Sequence, residues 1–203
     1  IALSGSLVVE TIVSQGCRPI GRPFVITAAE QNVIKLLGGK PAMQMLNEVF
    51  TTANDEEKKL MQQGIFVGTA ISEYKDEFGR GDFLIRNMIG ADQRTGALMI
   101  GDYARIGRTI QFHVRDAKTA EEDLRKLLAS QRQPPPAGAL LFNCNGRGTR
   151  LFDQPNHDLA ALRAGVGDVP IAGFFCAGEF GPVGAKNFIH GHTASIALFR
   201  PAE

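Results

Sequence analysis

The sequence has almost no net charge. It contains 22 Lys and Arg residues against 21 Asp and Glu residues, which leaves +1 at pH 7. Proteins whose main partner is nucleic acid or an anionic membrane usually carry a basic surplus or a basic stripe. The six arginines between Arg80 and Arg115 do not form such a stripe, because Asp82, Asp92 and Asp102 lie among them. We therefore expect no nucleic-acid partner.

Long apolar runs are also missing. The stretch 169–199 has only Glu179 and Lys186 as charges, but five glycines interrupt it, whereas a membrane-spanning helix needs about 20 consecutive apolar residues. The first residues lack the basic flank and apolar stretch of a signal peptide. These features predict no membrane insertion and a cytoplasmic or plastid-stroma location. The chain begins with Ile1 rather than Met, and we expect it to be part of a longer chain.

Cysteine is scarce and carries no spacing motif. The three cysteines, Cys17, Cys144 and Cys176, are far apart and include no CxxC pair, which argues against a disulfide framework or a zinc site and favours a reducing compartment. The sequence also has no GxGxxG, and no GKS or GKT that would complete a phosphate-binding loop. A nucleophilic Cys17 or Cys144 stays the lowest-ranked hypothesis. The prediction is a protein without enzymatic activity.

Glycine is in excess. There are 23 glycines in 203 residues, and ten of them lie between Gly138 and Gly191. Several follow apolar segments directly, within residues 143–148 and 173–184, where glycine permits tight turns and close backbone approach. We expect the functional site among these turns.

Apolar periodicity predicts an α+β fold with mixed, mainly antiparallel sheets packed with helices in a layered sandwich. The connection at residues 133–138 fits either an interdomain linker or an ordinary helix-to-strand loop. A turn is predicted at residues 16–21 and a helix cap at Asn54. Strands are predicted at residues 3–15, 24–27, 33–37, 65–71, 83–89, 98–100, 109–114, 139–143, 171–176, 187–189 and 193–199, and helices from Pro41, at 56–63, 116–128 and 157–164.

Residues 143–148 combine short polar side chains, two glycines and Arg147 directly after an apolar strand. Backbone N–H groups can converge on an anion in such a turn, and an arginine can grip a carboxylate with two parallel hydrogen bonds. A plain glycine turn with a surface arginine explains the same residues equally well. Glu179 lies among aromatic residues and glycines, and is either a carboxylate of the site or a buried ion-pair partner.

His190 and His192 would face the same side of an extended backbone and could hold a metal or haem iron. No carboxylate lies close upstream to complete a ligand set, and such pairs more often make structural hydrogen bonds. No metal and no cofactor is therefore expected, with haem as the minor alternative.

Six segments in order carry a family resemblance. They are residues 16–21, 86–87, 111–116, 141–148, 173–179 and 191–199. With them the chain resembles the FIST C domain over about residues 15–199, and residues 1–14 resemble the closing strand of the FIST N domain that precedes it. The predicted division is 1–14 for the N-type strand and 15–203 for the C-type domain.

The resemblance implies a sensory or adaptor module that binds small ligands such as amino acids. It also implies fusion to signalling domains in bacteria and to F-box regions in eukaryotes. For some members of the family it implies haem binding. It brings no agreed catalytic set.

The leading hypothesis is a non-enzymatic sensory domain with a polar cleft edged by Phe174 and Phe175. In it an arginine would bind the carboxylate of a zwitterion and a glutamate its ammonium group. The alternatives are a protein-interaction or adaptor module, and a haem sensor using His113, His190 or His192. The predicted ligand-binding residues are Cys17, Arg18, Asn143, Asn145, Arg147 and Glu179.

Overall fold

The computed structural model describes residues 3–131, 135–184 and 186–202. The chain separates into two compact units: unit 1 comprises Ile1–Gly16 and Ala117–Glu203, and unit 2 comprises Cys17–Asp116. The predicted connection at 133–138 begins outside the described residues, so the choice between linker and loop stays open.

The elements of unit 1 are β1 (Leu7–Ser14), α3 (Ala117–Ala129), β9 (Gly138–Cys144), α4 (His157–Val166), β10 (Ile171–Cys176), β11 (Glu179–Val183), β12 (Lys186–His190) and β13 (Ala194–Pro201). Those of unit 2 are β2 (Cys17–Glu30), β3 (Val33–Leu37), β4 (Lys40–Pro41), α1 (Ala42–Thr52), α2 (Asp55–Gln63), β5 (Phe66–Ala70), β6 (Phe83–Asp92), β7 (Ala97–Ile100) and β8 (Thr109–Arg115).

Unit 2 is an antiparallel sheet that closes on itself. Its strand order is β2-β8-β5-β6-β7-β3-β4, and β2 also pairs with β3. Alternate residues of the strands point to opposite faces, and the apolar set that includes Ile20, Val67 and Phe112 forms a core with the buried side of α1. β5, β6 and β7 are antiparallel neighbours in chain order, whereas β8 pairs with β5 and β2 rather than with β7.

The helices of unit 2 begin and pack largely as predicted. Asn54 caps α2 in a capping box, accepting from the Glu57 backbone N–H at 2.9 Å. In α1 the apolar residues Met45, Leu46 and Val49 are buried, whereas Phe50 beside them is exposed. Four apolar residues cover a wider arc of a helix than the sheet beneath it buries.

The turn predicted at residues 16–21 is wrong in part. Only Gly16 forms the turn, with φ 63°, while residues 17–20 already belong to β2 and pair with β8. A register shift between Ile20 and Phe24 places the break at Gly21, which has φ 61°. A Cβ on Gly21 would lie 2.6 Å from the Val49 side chain, so glycine here lets α1 approach the strand.

Unit 1 is a sheet covered on one face by helices. The strand order is β1-β13-β9-β10, with β1 and β13 antiparallel in full register from Leu7 opposite Pro201 to Ser14 opposite Ala194. Apolar residues of α3 and α4, among them Leu124 and Leu162, pack with the sheet residues Leu141 and Ile196. The α+β class is confirmed.

Unit 1 contains one parallel strand pair, as expected for mixed sheets, and one strand that was not predicted. β9 and β10 are parallel neighbours, and the connection between them contains α4. Parallel strands need a crossover of about a dozen residues or more, usually a helix, and this connection is long enough. β11, which the sequence pattern did not indicate because glycine and proline interrupt it, pairs antiparallel with β12 from Glu179 opposite His190 to Val183 opposite Lys186. The parallel pair and the start of its crossover helix line a cavity.

Candidate functional site

A cavity of about 390 Å³ lies in unit 1 where β9 and β10 meet the first turn of α4. In a parallel pair with a helical crossover, the carboxyl ends of the strands and the helix N-terminus lie at the same edge, which is where such folds bind ligands. The volume falls within the usual range for small-molecule sites, which begins at about 300 Å³. Its lining is Leu141, Asn143, Gly148, Asn156, His157, Asp158, Leu159, Ile171, Ala172, Gly173, Phe174 and Phe175.

Asn143 contributes the polar atom that stands out in this lining. It is 6% exposed, and its Oδ1 has no hydrogen-bond partner among the described residues. A buried amide oxygen without a partner costs about 1–3 kcal/mol of desolvation. Because Asn143 lines the cavity, a donor on a molecule bound there would remove that cost.

The first turn of α4 is the second polar feature. Its N-cap, Asn156, has φ 57° and makes no side-chain capping hydrogen bond in the described structure. The first backbone N–H groups of a helix have no partner within the helix, and its dipole places partial positive charge there. Asn156, His157, Asp158 and Leu159 all line the cavity, so these donors favour an acidic group inside it.

Arg147 and Asp158 form a buried ion pair beside the cavity. Arg147 Nε lies 2.8 Å from Asp158 Oδ2 and Nη2 lies 2.7 Å from Oδ1, with 0% and 1% of the two side chains exposed. This is the two-bond geometry predicted for a ligand carboxylate, but Asp158 supplies the carboxylate here. Arg147 Nη1 is buried without a partner among the described residues.

His157 contacts both Asp158 and the aromatic ring of Phe152. Its ring stacks on Phe152 with centroids 3.7 Å apart and planes at 10°, and its Nδ1 lies 3.5 Å from Asp158 Oδ1. Neither His157 nor Asp158 was among the predicted ligand residues. The available signal was the predicted start of a helix at residue 157, which places donors at a strand-end loop.

Glu179 lies with two cysteines on the other face of β9 and β10. Its carboxylate accepts from the Gly178 and Thr193 backbone N–H groups at 3.2 and 3.3 Å and from the Cys176 thiol at 3.5 Å. Burial raises the pKa of Glu179, while these hydrogen bonds and one from Cys144 lower it in part. Burial and the neighbouring Glu179 raise the pKa of Cys176 to about 11.

The structure does not gather the six predicted residues in the cavity of unit 1. Asn143 lines it, Arg147 is engaged by Asp158, and Asn145 is exposed and outside its lining. Glu179 lies on the opposite face, because Cys144 and Cys176 follow the lining residues Asn143 and Phe175 and point the other way. Cys17 and Arg18 belong to unit 2. Phe174 and Phe175 do line the cavity, and binding by the six residues stays a prediction.

The predicted histidine pair is not extended. β12 ends at His190, whose Nε2 lies 2.9 Å from the Gly181 carbonyl oxygen, and His192 has φ 62°. His113 is 2% exposed in unit 2, with Nδ1 3.0 Å from the Gln111 carbonyl oxygen, and burial lowers its pKa to about 4. Within residues 3–131, 135–184 and 186–202, no group of three or more His, Cys, Asp or Glu residues could hold a metal ion. The haem alternative stays a prediction.

A larger depression of about 930 Å³ lies between α3 and α4. Two of its charged residues, Arg125 and Glu121, already pair with each other at 2.7 Å. Asn143 does not line it. The smaller cavity is therefore the better candidate site.

Comparison with known proteins gives two family matches. The FIST N domain model matches residues 1–40 and the FIST C domain model matches residues 42–182. These limits differ from both the compact units and the predicted division at residues 14 and 15, which stays a prediction.

Relatives in mycobacteria share much of this sequence. An uncharacterized protein of Mycobacterium tuberculosis strain H37Rv is 46% identical over 192 residues, and one of Mycobacterium bovis is 46% identical over 191 residues. In both cases the match covers 93% of this chain and 50% of the relative, so the chain spans about half the length of these relatives. An F-box/LRR-repeat protein of Arabidopsis thaliana is 27% identical over 105 residues, 48% of this chain and 20% of that protein.

Among the described residues, no helix is long and apolar enough to span a membrane.

Proposed function

Since this chain belongs to the FIST family, whose domains are sensory and signal-transduction domains, we propose that it is a non-enzymatic sensory module that binds a small molecule. The binding site in this proposal is the cavity between β9, β10 and the first turn of α4. The module would act in the cytoplasm or plastid stroma, and its output would pass through a further domain or a protein partner.

The observation that carries the proposal is the unpartnered Oδ1 of Asn143, the one polar side chain that β9 and β10 contribute to the described lining. Buried polar groups are hydrogen-bonded in the great majority of cases. A ligand donor at this oxygen would satisfy it and orient the bound molecule. The surrounding Leu141, Ile171 and Phe175 would bury the apolar part of the same molecule.

An amino acid with an apolar side chain fits all three features of the cavity. Its ammonium group would donate to Asn143 Oδ1, and its carboxylate would meet the N–H groups of the first turn of α4. Its side chain would lie against Leu141, Ile171 and Phe175. Because Asp158 is neutralised by Arg147, it would not repel the ligand carboxylate.

Thermal-shift and calorimetric titration with free leucine and phenylalanine tests this assignment. We expect stabilisation by the free amino acids, which at a hundredfold excess over Kd amounts to about 2.7 kcal/mol. The acids without the amino group and the amides without the carboxylate should bind more weakly, because each loses one polar contact.

Asn143→Leu should abolish the response, since it replaces the acceptor with an apolar group of similar size. Asn187→Leu, the same change at an exposed position of β12, is the matched control and should respond as the unmodified protein does. If none of these ligands stabilises the protein at millimolar concentration, or if Asn143→Leu responds fully, the cavity is not the ligand site. Circular dichroism of both variants verifies that they are folded.

An adaptor role is the second candidate, supported by exposed aromatic residues. Phe174 is 63% exposed and Phe180 is 71% exposed, and exposed apolar patches often mark interaction surfaces. The name of the F-box/LRR-repeat relative is compatible with such a role. Phe180→Ser should weaken capture of a partner and leave amino-acid binding unchanged. Partner capture that is unaffected by this change contradicts the assignment of that surface.

A further inference from the structure

Cys144, Cys176 and Glu179 form a cluster that the proposed ligand site does not use. Cys144 ends β9 and Cys176 ends β10, and the two are direct Cα partners in the parallel pair. Both are free thiols. The Cys176 Sγ lies 3.5 Å from Glu179 Oε1, and the Cys144 thiol also hydrogen-bonds to Glu179.

The strand pairing places the two thiols within reach of each other. Neighbouring strands lie about 4.8 Å apart, and the Cα atoms of a disulfide are usually about 4.4–6.8 Å apart. Residues in direct register on parallel strands point to the same face of the sheet. Glu179, which contacts the Cys176 thiol and whose pKa the Cys144 thiol influences, lies on that face.

A disulfide between these positions is within geometric reach, but it would be strained and easily reduced. The Cβ atoms of a disulfide lie closer together, at about 3.5–4.5 Å, so bonding would draw the strand ends toward each other. β10 is the edge strand of its sheet and has no neighbour on its other side within the described sheet to resist a small shift. Disulfides strained in this way have higher reduction potentials and are typically labile or regulatory.

We propose that Cys144 and Cys176 are a reversible thiol pair that a hydroperoxide oxidises to an intramolecular disulfide. This site goes beyond the proposed ligand binding and does not depend on it. It makes the end of the β9–β10 pair sensitive to peroxide, beside the residues that line the cavity but on the opposite face.

The reaction balances in two steps. The sulfur of Cys176, which is partly exposed whereas Cys144 is buried, attacks the peroxide O–O bond; that bond breaks, an S–O bond forms, and the leaving oxygen takes up the thiol proton as an alcohol or water. The Cys144 sulfur then attacks the sulfenic sulfur, an S–S bond forms and water leaves with the Cys144 proton. Two electrons pass from the two sulfurs to the peroxide, and a small thiol reverses the change.

Glu179 lowers the rate of this reaction at neutral pH by disfavouring the thiolate of Cys176. The thiolate is the reactive form, and the neighbouring carboxylate and burial hold the Cys176 pKa at about 11. The rate should therefore rise about tenfold per pH unit between neutral pH and about pH 10. Glu179→Gln removes the charge that disfavours the thiolate, so it should accelerate oxidation at neutral pH.

The test exposes the purified protein to hydrogen peroxide, blocks the remaining thiols by alkylation and identifies cross-linked peptides by mass spectrometry. We expect one linked pair that joins the peptides of Cys144 and Cys176 and disappears after treatment with dithiothreitol. Cys17→Ser, a matched change at the third cysteine, should form the same link. In Cys144→Ser the second step is blocked, so Cys176 should be captured as a sulfenic acid by dimedone.

Three outcomes overturn the proposal. In the first, Cys144 and Cys176 are still fully alkylated at peroxide concentrations that oxidise Cys17. In the second, the disulfide joins two molecules instead of the two strands of one molecule. In the third, the Cys144→Ser variant is oxidised at Cys17 and gives no dimedone adduct at Cys176. Amino-acid binding by the reduced protein is measured separately. Loss of binding alone refutes the ligand site, and loss of the cross-link alone refutes the thiol pair.

Discussion

Replacing Asp158 with asparagine removes the negative charge from the buried pair with Arg147 while keeping the size of the side chain. Arg147 is 1% exposed and already has Nη1 without a partner among the described residues. In the variant its positive charge stays buried with no carboxylate to compensate it. The asparagine offers one oxygen where the aspartate offered two, so one of the two charged hydrogen bonds is lost.

The expected cost follows from these losses. A hydrogen bond to a charged group contributes about 1.5–3 kcal/mol, and removing one partner of a buried ion pair costs about 3–5 kcal/mol. We expect a loss in the latter range for unit 1. A chain of this size loses about 2–4 °C of Tm per kcal/mol, which gives a decrease of about 6–20 °C. The exposed pair Lys35 and Glu30, 2.6 Å apart, provides the contrast, because solvent screens an exposed ion pair and Glu30→Gln should therefore change Tm little.

The assay has to report unit 1 by itself. The chain has no tryptophan, and both of its tyrosines, Tyr74 and Tyr103, lie in unit 2, so intrinsic fluorescence does not follow unit 1. Hydrogen exchange read by mass spectrometry on peptides of β9 and α4 does, and far-UV circular dichroism during urea unfolding gives the total. Exchange in these elements should accelerate in Asp158→Asn and stay unchanged in Glu30→Gln.

Equal effects of the two substitutions would refute the reasoning. The pair would then be solvated, and Arg147 would be available to a ligand carboxylate as the sequence predicted. The double variant Arg147→Met with Asp158→Leu provides a second criterion, because it removes both charges and fills similar volume. It should recover most of the stability lost in Asp158→Asn.

Two further predictions concern pH and packing. His113 has a pKa of about 4 when folded and about 6.5 when unfolded, so the unfolded chain binds the proton first and the free energy of unfolding falls as the pH drops from 6.5 to 4, by at most about 3 kcal/mol. Urea midpoints at pH 7 and pH 4.5 measure this loss. His113→Gln should make stability less dependent on pH, whereas parallel pH profiles of the variant and the unmodified protein would contradict the assignment. A Cβ on Gly173 would overlap the Leu141 carbonyl oxygen of the neighbouring strand, so Gly173→Ala should cost about 1–3 kcal/mol or more of stability. Gly138→Ala is the control and should be tolerated, because the nearest atom lies 3.4 Å from the added Cβ. Equal Tm values for the two variants would contradict this, because β10 would then shift to accommodate the Cβ at no cost in stability.

The fold was predictable to the extent that it rests on local pattern. Asn54 followed by Glu57 three residues later is a capping box in the sequence and in the structure. Alternating residues in β8 indicated a strand, and they pair with β2 and β5 as an antiparallel neighbour would. β11 escaped because Gly181 and Pro182 break its pattern, although Gly181 is needed where the strand passes close to Val13.

The candidate site was predictable only in its location. Glycines and short polar residues after β9 and β10 indicated strand-end turns, and the cavity does lie at these strand ends. The partner of Arg147 could not be read from the sequence, because Asp158 lies eleven residues further on, in a helix whose orientation depends on packing against the sheet. Arg86 is a similar case, since its partner Asp102, at 2.7 Å, comes from another part of unit 2.

The sequence by itself determined the α+β class, the cap at Asn54, the resemblance to the FIST family and the expectation of no membrane span, because each depends on composition or on short segments of the chain. Only the tertiary structure decided that Arg147 serves Asp158, that Asn143 has an open acceptor in a cavity, and that Cys144 stands opposite Cys176. Those facts depend on strand register and on the crossover of α4, which bring residues 11 to 33 positions apart into contact. Long-range pairing is selected by the burial of whole faces, and no short stretch of sequence contains that information.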